Sequence, residues 1–233
     1  MNILSFDTTL NRCSVAVLAA GQVLAHRYQA LQRGHAEALM PMISDALLTA
    51  GMAFSDLDLI SVTTGPGTFT GQRVGLSAAR GIAVARGLPV QGVGSLSAIA
   101  HAARNDGHDD LQDKDILVVL DARRGQFYVQ HFPADLAIYP AVNLPHAIAT
   151  NELAGQLPPK SCVLVGTGAE LAMEMPGLNR FDVSANSSPP EADAVAVAEL
   201  AALMVHKDGL PTAPPAPLYL RAPDAKLPGG RSL

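Results

Sequence analysis

Residues 57–90 read LDLISVTTGPGTFTGQRVGLSAARGIAVARGLPV, and the fold turns on them. Apolar Leu57, Leu59, Ile60 and Val62 predict a buried strand, and Gly65, Pro66 and Gly67 end it in a turn that needs unusual backbone angles. Thr68, Phe69 and Thr70 lead into a helix that runs to Ala85, either threonine hydroxyl being placed to cap the free amides of its first turn. A further strand begins near Val90.

This helix carries little side chain. Gly71, Gly75 and Ala79 recur every four residues, with Ala78, Gly81, Ala83 and Ala85 close by, so two opposite faces are lined by small groups. Each interior glycine costs roughly 1 kcal/mol against alanine, so close approach of another backbone is expected to offset the loss. One small face can pack on the parent sheet; a second can meet another helix, in this chain or in a partner. Arg73, Ser77 and Arg80 form the one polar stripe.

Two phosphate-binding motifs fail in this stretch. After Gly65 the next glycine suited to a P-loop is Gly71, followed by Gln72 and Arg73 where Lys and Ser or Thr are required. A dinucleotide fingerprint starting at Gly65 and Gly67 would need its third glycine where Thr70 stands, and no acid follows near the expected position.

The 233 residues are 48% hydrophobic and 16% charged, ample for packed cores. Aromatic residues make up 4%, without Trp, which favours layered helix and sheet packing. A net charge of -5 argues against an unaided grip on nucleic acid, because clustered Lys and Arg must neutralise the phosphates. Cys13 and Cys162 each lie in an apolar run, as buried free thiols do. Asp7 interrupts the N-terminus before a signal-length apolar core forms, and no apolar run reaches membrane length, so a cytoplasmic protein is expected.

Along the chain, 2–6, 13–19 and 23–29 predict a three-stranded meander, and 34–51 a helix whose Leu39, Met40, Met42, Ile43, Ala46, Leu47 and Ala50 cover more than one buried face requires. Pro41 lies within it. Another helix is expected at 95–103, then the polar run RNDGHDDLQDKD at 104–115 marks a domain boundary. Beyond it the opening repeats in outline: an apolar strand at 116–120, Asp121 at its end, a turn, and a returning strand at 126–132. A loop-rich section, a strand at 162–165 closed by Gly166 and Gly168, and a helix from Pro190 to His206 follow. The proline-rich tail is expected to be extended, with Tyr219 and Leu220 able to dock.

No two of the seven histidines stand at helical metal-pair spacing, so no metal site is expected. Asp7 and Asp121, each ending an apolar strand, can flank a cleft and hold magnesium or orient a nucleophile; equally, each can cap its own turn.

The DTT turn at 7–9, HAEALMPMI at 35–43, TTGPGTFTGQRVGLSAARGIA at 63–83, GLPVQGVGSL at 87–96 and DARRGQFYV at 121–129, in that order and spacing, closely resemble the TsaB (YeaZ) family of tRNA threonylcarbamoyladenosine biosynthesis proteins. The match covers about the first 130 residues, then fades to VLVGTGAE at 163–170 and PLYLRAP at 217–223. The resemblance implies an α/β fold of two lobes, of the actin, sugar kinase and Hsp70 kind (ASKHA), each lobe an RNase H-like sheet flanked by helices, here 1–105 and 106–233. It implies a non-catalytic subunit that works with the catalytic paralogue TsaD and the ATPase TsaE. These transfer a threonylcarbamoyl group from its adenylate to N6 of the adenosine beside the anticodon, in tRNAs reading codons that begin with A. Such proteins pack their helices on TsaD, or on a second copy of themselves, and meet tRNA only through the complex.

On this resemblance the docking surface is expected on the two long helices of the first lobe, at His35, Leu39, Met42, Ile43, Ala46, Gly71, Arg73, Val74, Gly75, Ser77, Ala78, Arg80 and Ile82. A vestigial nucleotide cleft is expected at Asp7, Thr8, Thr9, Asp121, Gly166 and Gly168. Ser95 and Ile99 stand where the paralogue has its metal-binding histidine pair, and Thr8 and Thr9 where phosphate loops of the superfamily carry glycine. No cofactor is therefore expected, with weak or no binding of ATP and magnesium. The rival readings are a stand-alone ATP-dependent phosphotransferase or ATPase using Asp7 and Asp121, and a peptidase, for which no Ser, His and acid spacing is assembled.

Overall fold

The computed structural model describes residues 1–105, 111, 113–135, 141, 143–158, 161–178, 183–186 and 190–221. In chain order its elements are β1 (Asn2–Asp7), β2 (Arg12–Ala19), β3 (Gln22–Ala30), α1 (His35–Ala50), β4 (Leu59–Gly65), α2 (Phe69–Arg86), β5 (Val90–Gly94), α3 (Ser95–Asn105), β6 (Asp115–Asp121), β7 (Gln126–Phe132), β8 (His146–Ala149), β9 (Cys162–Val165), α4 (Ala169–Met173), β10 (Val183–Asn186) and α5 (Ala194–Asp208). The strands form two five-stranded sheets, ordered β3-β2-β1-β4-β5 and β8-β7-β6-β9-β10.

The orders are the same once each strand of the second half is matched to its counterpart in the first. The first three strands of each half pair antiparallel, and the fourth and fifth join parallel. The strand-acid-turn-strand echo read from sequence is thus part of a whole duplicated sheet, the two-lobed RNase H-like architecture. The 146–149 and 183–186 strands fell in the section expected to be loop-rich, because HAIA and VSAN, unlike the equally short CVLV at 162–165, are neither wholly apolar nor closed by glycines.

Local chemistry fixes the helices of the first half. Gly34 and Gly51 bound α1 with left-handed backbones, φ 92° and 65°. Of the two candidate caps for α2 it is Thr68 whose hydroxyl accepts the Gly71 amide, at 3.1 Å. Leu39, Ile43, Ala46 and Leu47 of α1 and Leu76, Ala79 and Ile82 of α2 bury against Leu4, Phe6, Val15, Val17, Ile60 and Val62 on one face of the first sheet.

The opposite face of that sheet, with Ile3, Ala16, Leu18 and Leu59, meets Leu96 and Ile99 of α3 and Val197 and Leu200 of α5. These belong to one apolar cluster that continues into Ile116, Val118 and Leu120 of the second sheet, so α3 and α5 are the filling between two sheets. The far face of the second sheet, through Leu117, Val119, Phe127 and Val129, packs on Leu153 and Ala172.

Two expectations change. The last helix starts at Ala194, not Pro190: Asp193 caps it by accepting the Val195 amide at 2.9 Å. Burial pushes the Asp193 carboxyl up, but the His26 and Val195 hydrogen bonds and the Arg12 charge outweigh it and hold the group low. A division into 1–105 and 106–233 also fails as a packing boundary, since α5 packs on β1, β2, β4 and β5 of the first sheet. Half of the polar run at the expected boundary, 106–110 and 112, lies outside the described residues. The tail is extended and docks, as the sequence allows: the Leu218 amide donates to the Thr64 carbonyl at 2.8 Å and Arg80 to the Pro215 carbonyl at 2.6 Å. Gly92 makes room for it, because a Cβ there would sit 2.6 Å from both Pro215 and Thr64.

Candidate functional site

The face of α1 and α2 sorts the expected docking residues into two groups. Leu39, Ile43, Ala46, Gly71, Gly75 and Ile82 are buried against the chain's own core, Leu39 alone of them also lining the groove between the two helices. A methyl on Gly71 would collide with the Thr8 carbonyl, and one on Gly75 would lie 2.8 Å from Thr8 Oγ1 and 3.2 Å from Val62. The four-residue stripe of small groups is therefore a fit to the parent sheet. His35 is half-buried with Nε2 2.9 Å from the Leu10 carbonyl, and Met42 is half-buried on the same core.

Arg73, Ser77 and Arg80 are exposed, and Val74 and Ala78 half-exposed. A groove of about 490 Å³ runs between the helices, lined by Ala36, Met40, Phe69, Thr70, Val74 and Ala78 among others. Met40 is exposed within the groove, and Leu48 of α1 and Val84 of α2 are 79% and 87% exposed further along the same helices. Spacing alone identifies a small face without saying which of two faces its own sheet takes.

The acid at the end of β1 is sealed. Asp7 Oδ1 accepts the hydroxyls of Thr63 and Thr9, the latter at 2.6 Å, and the Thr9 amide at 3.2 Å, while Oδ2 has no partner among the described residues. Complete burial pushes its carboxyl up to about 6, against the lowering effect of the threonine hydrogen bonds. The Thr8 hydroxyl donates to the Gly71 carbonyl at 2.7 Å, and the Thr68 amide donates to the Thr9 carbonyl at 2.7 Å. The turn after β1 is thereby closed over by the start of α2.

Gly166 and Gly168 also serve packing. A Cβ on Gly166 would lie 2.5 Å from the Val119 carbonyl, and the Gly168 amide donates to that carbonyl at 2.9 Å. Of the six residues expected to line a nucleotide cleft, only Asp121 does so. Among the described residues no group of three or more His, Cys, Asp or Glu is arranged to hold a metal, and no helix is long and apolar enough to cross a membrane.

The cleft itself is a cavity of about 970 Å³ between the lobes, with walls from the turn before α2, the β6–β7 hairpin tip and the tail. The Arg73 guanidinium lies 3.6 Å over the Phe69 ring, and its Nε donates to the Tyr219 hydroxyl at 3.0 Å. The Phe69 and Tyr219 rings are 5.4 Å apart. Arg221 donates to the Ala122 carbonyl at 2.6 Å, tying the tail to the second lobe. At the hairpin tip Arg123 and Arg124 adopt left-handed backbones, φ 62° and 57°. Asp121 accepts the Arg123 amide at 2.7 Å and lies 3.5 Å from its guanidinium. Sequence reasoning passed over Arg123, Arg124 and Arg221 as site residues; the Arg-Arg-Gly turn after Asp121 was the available signal, hidden by the acidic overall charge.

Comparison with known proteins agrees with this architecture. A family model described as TsaD, tRNA N6-adenosine threonylcarbamoyltransferase, matches residues 23–139. The chain is 36% identical over 136 residues to the tRNA threonylcarbamoyladenosine biosynthesis protein TsaB of Escherichia coli (strain K12), covering 58% of this chain and 56% of that protein. It is 35% identical over 128 residues to the TsaB of Bacillus subtilis (strain 168), covering 55% and 53%. The chain thus aligns with about half the length of these curated relatives. An uncharacterised protein of Mycobacterium tuberculosis is 33% identical over 227 residues, 96% of this chain and 93% of that one. The solved structure of YeaZ from Pseudomonas aeruginosa superposes with a TM-score of 0.81 at 27% identity, covering 94% of this chain and 99% of that one. Matched by the family model over half its length and by a YeaZ structure along nearly all of it, the chain belongs to the TsaB (YeaZ) branch of the TsaD family.

Proposed function

We propose that this chain acts in tRNA threonylcarbamoyladenosine biosynthesis as the non-catalytic subunit that docks the catalytic paralogue TsaD, with TsaE as a further component. The observation that carries the reading is the open groove between α1 and α2, lined by Met40 and Ala78 among others, with Leu48 and Val84 exposed further along the same two helices. Small groups there let another helix approach closely, as helix-to-helix packing requires. A stable interface buries on the order of 1,600 Å², which extends beyond the groove to both helices. In the absence of TsaD the same face would pair two copies of this chain.

The sealed surroundings of Asp7 support the non-catalytic reading over a stand-alone phosphotransferase or ATPase, because Oδ1 is held by Thr9 and Thr63 and the whole carboxyl is buried away from the cleft. Co-purification with TsaD tests the proposal. Ala78→Arg should abolish association while leaving the thermal unfolding midpoint unchanged, and tRNA modification reconstituted with TsaD and TsaE should fall with it. Undiminished co-purification by a folded Ala78→Arg chain, or ATP turnover by this chain alone that Asp7→Asn removes, would overturn it.

A further inference from the structure

We infer that residues 215–221 are a releasable strap, fastened to both lobes and forming one wall of the cleft between them, whose detachment opens that cleft. The inference goes beyond the proposed function and does not rest on it. Its basis is where the fastenings fall. The first lobe holds the Pro215 carbonyl through Arg80, the Leu218 amide through the Thr64 carbonyl and the Tyr219 hydroxyl through Arg73. Two residues on, Arg221 donates to the Ala122 carbonyl of the second lobe. The chain thus crosses from lobe to lobe within 219–221, and Leu218, Tyr219, Leu220 and Arg221 all line the cavity.

The fastenings lie at the surface. None of residues 209–221 is buried, whereas the two sheets and α5 close on continuous apolar clusters that owe nothing to this segment. A segment held by a handful of exposed hydrogen bonds opens by itself, leaving the rest of the fold in place. The sequence favours its return to the same seat. Pro211, Pro214, Pro215 and Pro217 restrict the backbone, so the segment stays extended when detached and loses little freedom on docking again. Gly92 supplies the seat, since any side chain there would meet Pro215.

The strap also holds side chains that shape the cleft. The Tyr219 ring packs on Phe69, and its hydroxyl takes the Nε proton of the Arg73 guanidinium that stacks on the same Phe69 ring. Both Phe69 and Arg73 line the cleft, so detachment releases them together with the wall. Ala122, whose carbonyl takes the Arg221 bond, lines the cavity as well and is only 7% exposed. It is the position at which opening is read.

The test places a thiol there, as Ala122→Cys in the full chain, and follows its alkylation by an uncharged maleimide with mass spectrometry. Cys13 and Cys162, both buried, report global unfolding in the same sample. In the folded parent the introduced thiol should react far more slowly than in urea. Leu218→Pro removes the amide that bonds Thr64, and loss of one such bond should raise the rate about tenfold. Gly92→Val should raise it at least as much; Gly92 is no part of the cavity wall, so its effect must travel through the tail. Arg27→Ala, on β3 and outside the cleft lining, should leave the rate unchanged. A parent thiol that reacts as fast folded as unfolded overturns the inference, as does an equal rate in the parent and both strap variants. Labelling of Cys13 in step with the introduced thiol overturns it in favour of global opening. None of these readouts involves TsaD, so failure here and failure of the docking proposal remain separable.

Discussion

Gly71 of α2 lies against the Thr8 carbonyl so closely that no side chain, not even a methyl group, fits between them. Gly71→Ala should therefore destabilise the fold by about 3 kcal/mol, because backbone must move on both sides. Gly81, in the same helix but with open space around its Cβ position, behaves oppositely. Gly81→Ala should stabilise by about 0.5–1 kcal/mol through helix propensity. Urea unfolding of the pair separates packing from propensity within one helix.

Asp7 should make stability pH-dependent in a direction opposite to that of a salt-bridged acid. Its carboxyl is raised from 3.8 to about 6, so the folded state binds the proton more tightly than the unfolded chain. The stability this contributes is fully present below pH 3.8 and is lost as pH rises through about 6, amounting to about 3 kcal/mol. Asp7→Asn should flatten the stability profile between about pH 4 and about pH 7. Urea midpoints at several pH values measure it; an unchanged slope would show that Asp7 is not the titrating group.

Cys13 and Cys162 are buried, and burial pushes both thiols up to about 12. Neither should react with a thiol reagent in the native state at about pH 8, and both should react on unfolding. The interval between mixing and labelling then reports opening of the first sheet at Cys13 and of the second at Cys162 separately.

Gly92→Val should lift the tail without unfolding the sheets, since its side chain would occupy the space of Pro215. Limited proteolysis should then cut at 211–221 many times faster than in the parent. The Tyr219 hydroxyl should lose its bond from Arg73 at the same time.

The sequence was most readable where periodicity and punctuation agreed. Gly65, Gly67 and Thr68 marked the end of β4 and the start of α2, and the alternation at 13–19 marked β2. The strand-acid-turn echo at Asp7 and Asp121 disclosed half of the duplication, while β8 and β10 lack the unbroken apolar run that marked the equally short β9. The candidate site was less legible, because burial is decided by partners distant in sequence. Gly75 and Ala78 look alike in a small-residue helix, yet one meets Thr8 and Val62 while the other opens on a groove. Arg221 and Arg123, nearly a hundred positions apart, meet at one cavity only because the tail folds back across the lobes.

The position of α5 has a consequence for biosynthesis. Until Ala194–Asp208 has left the ribosome, the inner surface formed by Ile3, Ala16, Leu18 and Leu59 lacks one of its two covering helices. A nascent chain halted after α3 would hold a sheet with one face packed and the other partly bare, a candidate for chaperone capture or clumping. Completion of the first-made half must wait for α5, so a piece of the chain ending after α3 should leave Ile3, Ala16, Leu18 and Leu59 partly bare.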